Sequence, residues 1–181
     1  MEKFSKTELS TWSGGKFDFT NPDPESVHIS DIAHALSLQC RFNGHINEFY
    51  SVAEHSVLVA DMLFEKHADP KLALTGLLHD AAEAYIGDVV SPLKHLLPEF
   101  LLYEAEVEKC ISVKFGIPYP LPDEVKGADK AALNLEFTLL APFTKNDPYT
   151  PRKPVDAEAR FLKRYYELVE IISGDSDDQN I

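Results

Sequence analysis

Between Asp69-Pro70 and Gly87-Asp88 runs the segment KLALTGLLHDAAEAYI, apolar on nearly every side yet carrying His79, Asp80 and Glu83. Asp before Pro is a helix start: the carboxylate accepts from the first free amides and proline presets φ at the first helical position. Gly87 is a stop. The spacing predicts one helix over 70–86, and a helix apolar all round belongs at the centre of a fold. There Asp80 and Glu83, and His79 and Glu83, share a face at i,i+3 and i,i+4. Buried charges are costly unless paired or coordinated. Whatever this chain folds into must therefore hold an imidazole and two acids in its interior, and a metal ion would account for them.

The rest of the chain reads as helical around that segment. Residues 1–29 are rich in turn formers, with Lys16-Phe17-Asp18-Phe19 alternating as a strand or hairpin arm would. Ser30 or Asp31 can cap a helix to about Gln39, with Ile32, Ala35, Leu36 and Leu38 on its apolar side. After the polar loop RFNGHINEFY, Ser51 opens a helix to about His67. Pro98 begins a long helix stopped by Gly116 and the prolines at 118, 120 and 122, and another runs from Pro122 to about Leu140. A proline-rich loop over 142–154 precedes a last helix, about Val155 to Ile172. The expectation is an all-α fold: a single compact bundle of five to six main helices over 30–173. The irregular or hairpin segment 1–29 packs on it, and the acidic stretch 174–181 is expected to be disordered.

Four ligand-type features fall on these helices: His55, the pair His79-Asp80, and Asp129. Neighbours on a helix project about 100° apart, so a His-Asp pair converges on one ion only if the ion lies between those directions. His55 and Asp129 are candidates to complete the set from other helices. Imidazoles mixed with carboxylates suit a borderline or hard divalent ion with open positions, not a closed structural zinc site. Each piece alone is common, and a lone helical His is more often a core residue. Cys40 and Cys110 lack metal or redox spacing and read as reduced core thiols of a cytoplasmic protein. The N-terminus has no apolar h-region, and no run approaches the roughly 18–20 apolar residues of a membrane span. A net charge of −13 and a pI near 4.9 disfavour polymeric nucleic acid as partner. A small anion remains possible where one pocket gathers cations.

The pattern His55 in YSVAEHSVLVA, His79-Asp80 in LLHDAAEA and Asp129 in VKGADKAAL resembles the HD-domain phosphohydrolases. The likeness spans roughly 30–140 and extends to Arg41-Phe42, to HDAAEAYIGDVVSPLK, and to Lys126 before Asp129. It is closest to the small nucleotidases, both the 5′-deoxynucleotidases and the phage deoxyadenosine triphosphohydrolases. This resemblance implies an HD-domain helical bundle in which His55, His79, Asp80 and Asp129 hold one divalent ion (Co, Mn, Zn, Ni, Fe or Mg). It also implies that Glu83 and Asp88 are catalytic and that the substrate is a small nucleotide. Arg41, Phe42, Gly44, Pro92, Lys94 and Lys126 would bind that substrate, and the protein would be a homo-oligomer, dimer or higher. Two departures matter. Arg-Trp is usual where this chain has Arg41-Phe42, and Ala84 after Glu83 breaks the paired acids of guanosine tetraphosphate hydrolases.

Without the resemblance several residues would read differently. Glu83 could orient His79, Asp88 could cap the Ser91 turn, and Arg41 could be a surface ion pair. Lys94 and Lys126 could be ordinary solvated lysines, Phe42 core, and His45 structural. The favoured activity is hydrolysis of a deoxynucleoside triphosphate such as dATP, because the two lysines would offset a polyphosphate. Cleavage of deoxynucleoside monophosphates is the alternative. A nucleotide-binding module without turnover would normally lack one of the ligands, and a purely structural role leaves the buried acids without a reason.

Overall fold

The computed structural model describes residues 6–141 and 149–177. Two short strands, β1 (Glu8–Ser10) and β2 (Lys16–Asp18), pair antiparallel with Leu9 opposite Phe17. Among the described residues eight α-helices follow: α1 (Ile29–Leu38), α2 (Val52–His67), α3 (Pro70–Leu77), α4 (Glu83–Ile86), α5 (Ser91–Lys94), α6 (Pro98–Phe115), α7 (Asp123–Leu140) and α8 (Pro154–Asp177). Six are substantial, while α4 and α5 are single turns. The all-α expectation holds. None of the helices among the described residues is long and apolar enough to cross a membrane.

Local chemistry sets most boundaries. Ser51 accepts from the Glu54 amide and opens α2, and Asp69 accepts from the Lys71 and Leu72 amides ahead of Pro70. Gly116 closes α6 at φ 64°, in the left-handed region that only glycine enters at little cost. At the first helix the expectation shifts. His28 occupies the cap position, and Asp31 is buried, accepting instead from the Ser13 amide (2.7 Å) and hydroxyl (2.9 Å). Asp31 thus ties the hairpin loop to α1, and Leu38, expected on the apolar face, is exposed.

The single helix expected over 70–86 is broken. After Leu77 the chain passes through Leu78 at φ −103°, ψ 6°, and turns with i to i+3 bonds. Ala81 donates to the Leu78 carbonyl, Glu83 to Asp80 and Ala84 to Ala81, until α4 closes at Gly87. Apolar composition fixes burial on all sides but not which hydrogen-bond register the backbone takes, and here the tighter one wins.

In the core, α8 packs across α1, α2 and α3, while α7 packs against α2 and α3. Phe17 from the hairpin and Phe161 from α8 are fully buried. Gly76 lets α3 approach α2, since a Cβ there would overlap the Leu63 side chain. The last helix runs to Asp177, past residue 173, where the sequence placed the start of a disordered tail. Residues 178–181 and the 142–148 part of the proline-rich loop lie outside the described residues.

Candidate metal centre and cleft

Three segments bring the ligand-type residues together. The Ser51 cap starts α2, placing His55 in its first turns, fully buried. The tight turn after α3 presents His79 and Asp80 side by side, and the packing of α7 on α2 and α3 supplies Asp129. His55 Nε2 lies 3.1 Å from Asp129 Oδ1 and 3.6 Å from Asp80 Oδ2. His79 Nε2 lies 3.2 Å from Asp80 Oδ2 and 3.8 Å from Asp129 Oδ1. Ligand atoms of His55, His79 and Asp80 all fall within 4.8 Å of one another.

The other nitrogen of each imidazole is engaged. His55 Nδ1 is 2.6 Å from Glu136 Oε1, and His79 Nδ1 is 2.8 Å from the Gly76 carbonyl. With Nδ1–H donated outward, each ring turns an Nε2 lone pair inward, and both Nε2 atoms are buried without a hydrogen-bond partner. The two imidazoles and the Asp80 carboxylate form a donor set suited to a divalent cation, with Asp129 beside both rings as a further carboxylate, so the residues fit.

Electrostatics agree. Burial alone would raise the Asp80 carboxyl, but His79, His55 and Arg41 hold it well below the ordinary carboxylate range. Asp129 is likewise depressed, against burial, by the two histidines. Burial opposes charge on His79, yet Asp80 and Asp129 draw its pKa up to about 10. A proton on His79 and a metal ion therefore compete for the same lone pair.

Beside this cluster opens a cleft of roughly 370 Å³, lined by Arg41, Phe42, Asp80, Glu83, Asp88, Val89, Val90, Ser91, Pro92, Lys94, Asp129 and Leu133. Arg41 is 8% exposed, with Nη1 3.6 Å from Asp80 Oδ2 and Nε 3.2 Å from Glu136 Oε2. Its amide bonds the Tyr50 carbonyl, which anchors it beside the start of α2. Lys94 bonds Glu104 at 2.6 Å and stands 3.7 Å from Glu83. Burial, with Asp80 and Asp88 adding to it and Lys94 and Arg41 opposing, pushes the Glu83 carboxyl up to about 9. Burial also raises Asp88. Asp88 does not cap the Ser91 turn, which has no side-chain cap, and Glu83 does not orient His79.

Two residues expected at the substrate are not among those lining the cleft. Lys126 is exposed and pairs with Asp123 at 3.1 Å. Gly44 does not line the cleft: at φ 75° it follows Phe42 (φ 57°) and Asn43 (φ 50°) through a left-handed turn, so its contribution is to the backbone path of the Arg41 loop. His45, in the same loop, is exposed. The sequence reading passed over Glu136, which is buried against both His55 and Arg41. Its signal was a carboxylate inside the run LNLEFTLL, seven residues after Asp129 and hence nearly on the same face.

The family model described as 5′-deoxynucleotidase YfbR-like matches residues 26–136. Among curated proteins, the chain is 34% identical over 176 residues to the uncharacterized protein YfdR of Escherichia coli K12, covering 90% of this chain and 96% of that one. It is 32% identical over 189 residues to an uncharacterized protein of Rhodobacter capsulatus, covering 90% and 95%.

Proposed function

The chain belongs to the YfbR-like 5′-deoxynucleotidase family of HD-domain proteins, and from that premise we propose that it is a metal-dependent phosphohydrolase of deoxynucleoside monophosphates. One observation carries the reading: two buried imidazole nitrogens without hydrogen-bond partners face two depressed carboxylates at the wall of a cleft that also holds Arg41 and Lys94. In this reading His55, His79, Asp80 and Asp129 hold one divalent ion. When bound, such an ion supplies Lewis acidity toward water and the phosphoryl oxygen.

The chain's own residues do the rest. Arg41 offers a planar fork to phosphate oxygens, and Lys94 adds a second positive charge. Glu83, kept protonated by burial, gives its proton to the departing 5′ oxygen, while Asp88 accepts one from the attacking water. Phe42, Pro92 and Leu133 form the apolar wall for the nucleoside. A triphosphate substrate is favoured less by this cleft than by the sequence alone, because Lys126 is paired with Asp123 and does not line the cleft, and Lys94 is already shared between two acids. A cytoplasmic homo-oligomer is the matching state of the protein, measurable by sedimentation.

The test is a mass-spectrometric assay of metal-stripped protein reloaded with Co, Mn or Mg, over all deoxynucleoside mono- and triphosphates. Orthophosphate and deoxynucleoside from the monophosphates are expected. Cleavage of dATP with dAMP untouched would move the assignment to a triphosphohydrolase. Absence of product with every metal, from protein that binds nucleotide, would leave a binding module.

A further inference from the structure

We infer that Glu136 is a positioning residue that ties the inward-facing imidazole of His55 to the phosphate-facing guanidinium of Arg41, so that one buried carboxylate sets both metal affinity and anion capture. This rests on the phosphohydrolase reading above. Glu136 sits on α7 at 2% exposure, and each of its oxygens serves a different functional group. Oε1 lies 2.6 Å from His55 Nδ1, and Oε2 accepts from Arg41 Nε at 3.2 Å.

Neither contact consumes the working end of its partner. His55 keeps Nε2 toward Asp80 and Asp129, and Arg41 keeps Nη1 toward Asp80 at the cleft wall. A carboxylate on Nδ1–H fixes the tautomer and raises the basicity of Nε2 as a ligand. A carboxylate on Nε holds the guanidinium plane, leaving its terminal nitrogens for a phosphate. Asp129 and Glu136 share one face of α7, so the helix that supplies a ligand also supplies the brace for the opposing one.

The experiment compares wild type, Glu136→Gln and Glu136→Asp by chelator competition for Co(II), then by inorganic phosphate affinity at saturating cobalt. The Gln variant keeps the shape and loses the charge, and is expected to bind cobalt roughly 10–100-fold more weakly, and phosphate more weakly as well. The Asp variant should recover part of both losses. A Gln variant within about twofold of wild type on both, or weakened on only one, overturns the shared role. Wild type without cobalt affinity would instead overturn the phosphohydrolase reading and this inference with it. Should the Gln variant fail to fold, nitrogen NMR of zinc-loaded wild type decides. A protonated His55 Nδ1 supports the brace, and a bare one overturns it.

Discussion

His55 and Asp129 approach within 3.1 Å although nothing local in the sequence joins them. Removing either leaves the set a ligand short, and a metal's share of transition-state stabilisation is several kcal/mol. His55→Ala and Asp129→Ala are therefore expected to lose on the order of 10³-fold in kcat/KM, with metal content per protein falling in parallel by elemental analysis. Full metal occupancy in both variants would contradict the assignment. Glu83 gives a prediction of a different kind. Its carboxyl is raised to about 9 in the fold, so the folded state holds a proton there that the unfolded state releases above the ordinary range near 4.5. Stability is then lost as pH rises from about 4.5 toward 9, and is unaffected below that window. Glu83→Gln should raise Tm of the metal-free protein at pH 8, by about 2–4 °C for each kcal/mol gained, with no gain at pH 4. The same variant should lose roughly 10²–10⁴-fold in kcat. Equal melting curves at pH 8 would show that the carboxyl is not held protonated.

At the scale of elements, the cap of α2 does double duty. Ser51 accepts from the Glu54 amide, and the turn it organises contains His55. Ser51→Ala should cost about 1 kcal/mol in chemical denaturation and weaken metal binding along with it; a stability loss with unchanged metal affinity would separate cap from site. The contact between α2 and α3 is as tight. Gly76 touches Leu63 and its carbonyl accepts from His79, so Gly76→Val should overpack that contact by roughly 1–3 kcal/mol. The sequence announces these boundaries because caps and stops act through amides one to three residues away. It announces the His79-Asp80 break poorly. A segment that is apolar on every side carries no phase by which to tell i+3 from i+4 bonding, and the turn follows from what packs around it.

For the molecule as a whole, metal loading should be linked to folding. A cation bound only by the native state at 100 times its Kd adds about 2.7 kcal/mol, roughly 5–10 °C in Tm. Scanning calorimetry before and after chelation measures it, and a chelator-insensitive Tm would argue against a metal held by the fold. Because Asp80 and Asp129 draw the His79 pKa up to about 10, cobalt affinity should climb as pH is raised from 6 to 9. A flat profile in chelator competition would mean that no proton is displaced. The net charge of −13 sets the background field, against which the cleft offers Arg41 and Lys94 as its lining cations.

The sequence by itself determined the helical class, both ends of α2, α6 and α7, the start of α3, and the residue types able to hold a cation. Those depend on side-chain chemistry and on backbone contacts a few residues apart. Only the tertiary structure decided that α7 packs with Asp129 and Glu136 facing His55, that Lys94 lines the cleft while Lys126 pairs with Asp123 outside its lining, and that the central apolar segment turns at His79. Each of these depends on how helices distant in sequence rotate against one another, and an amphipathic or all-apolar helix tolerates more than one rotation until its neighbours fill the core.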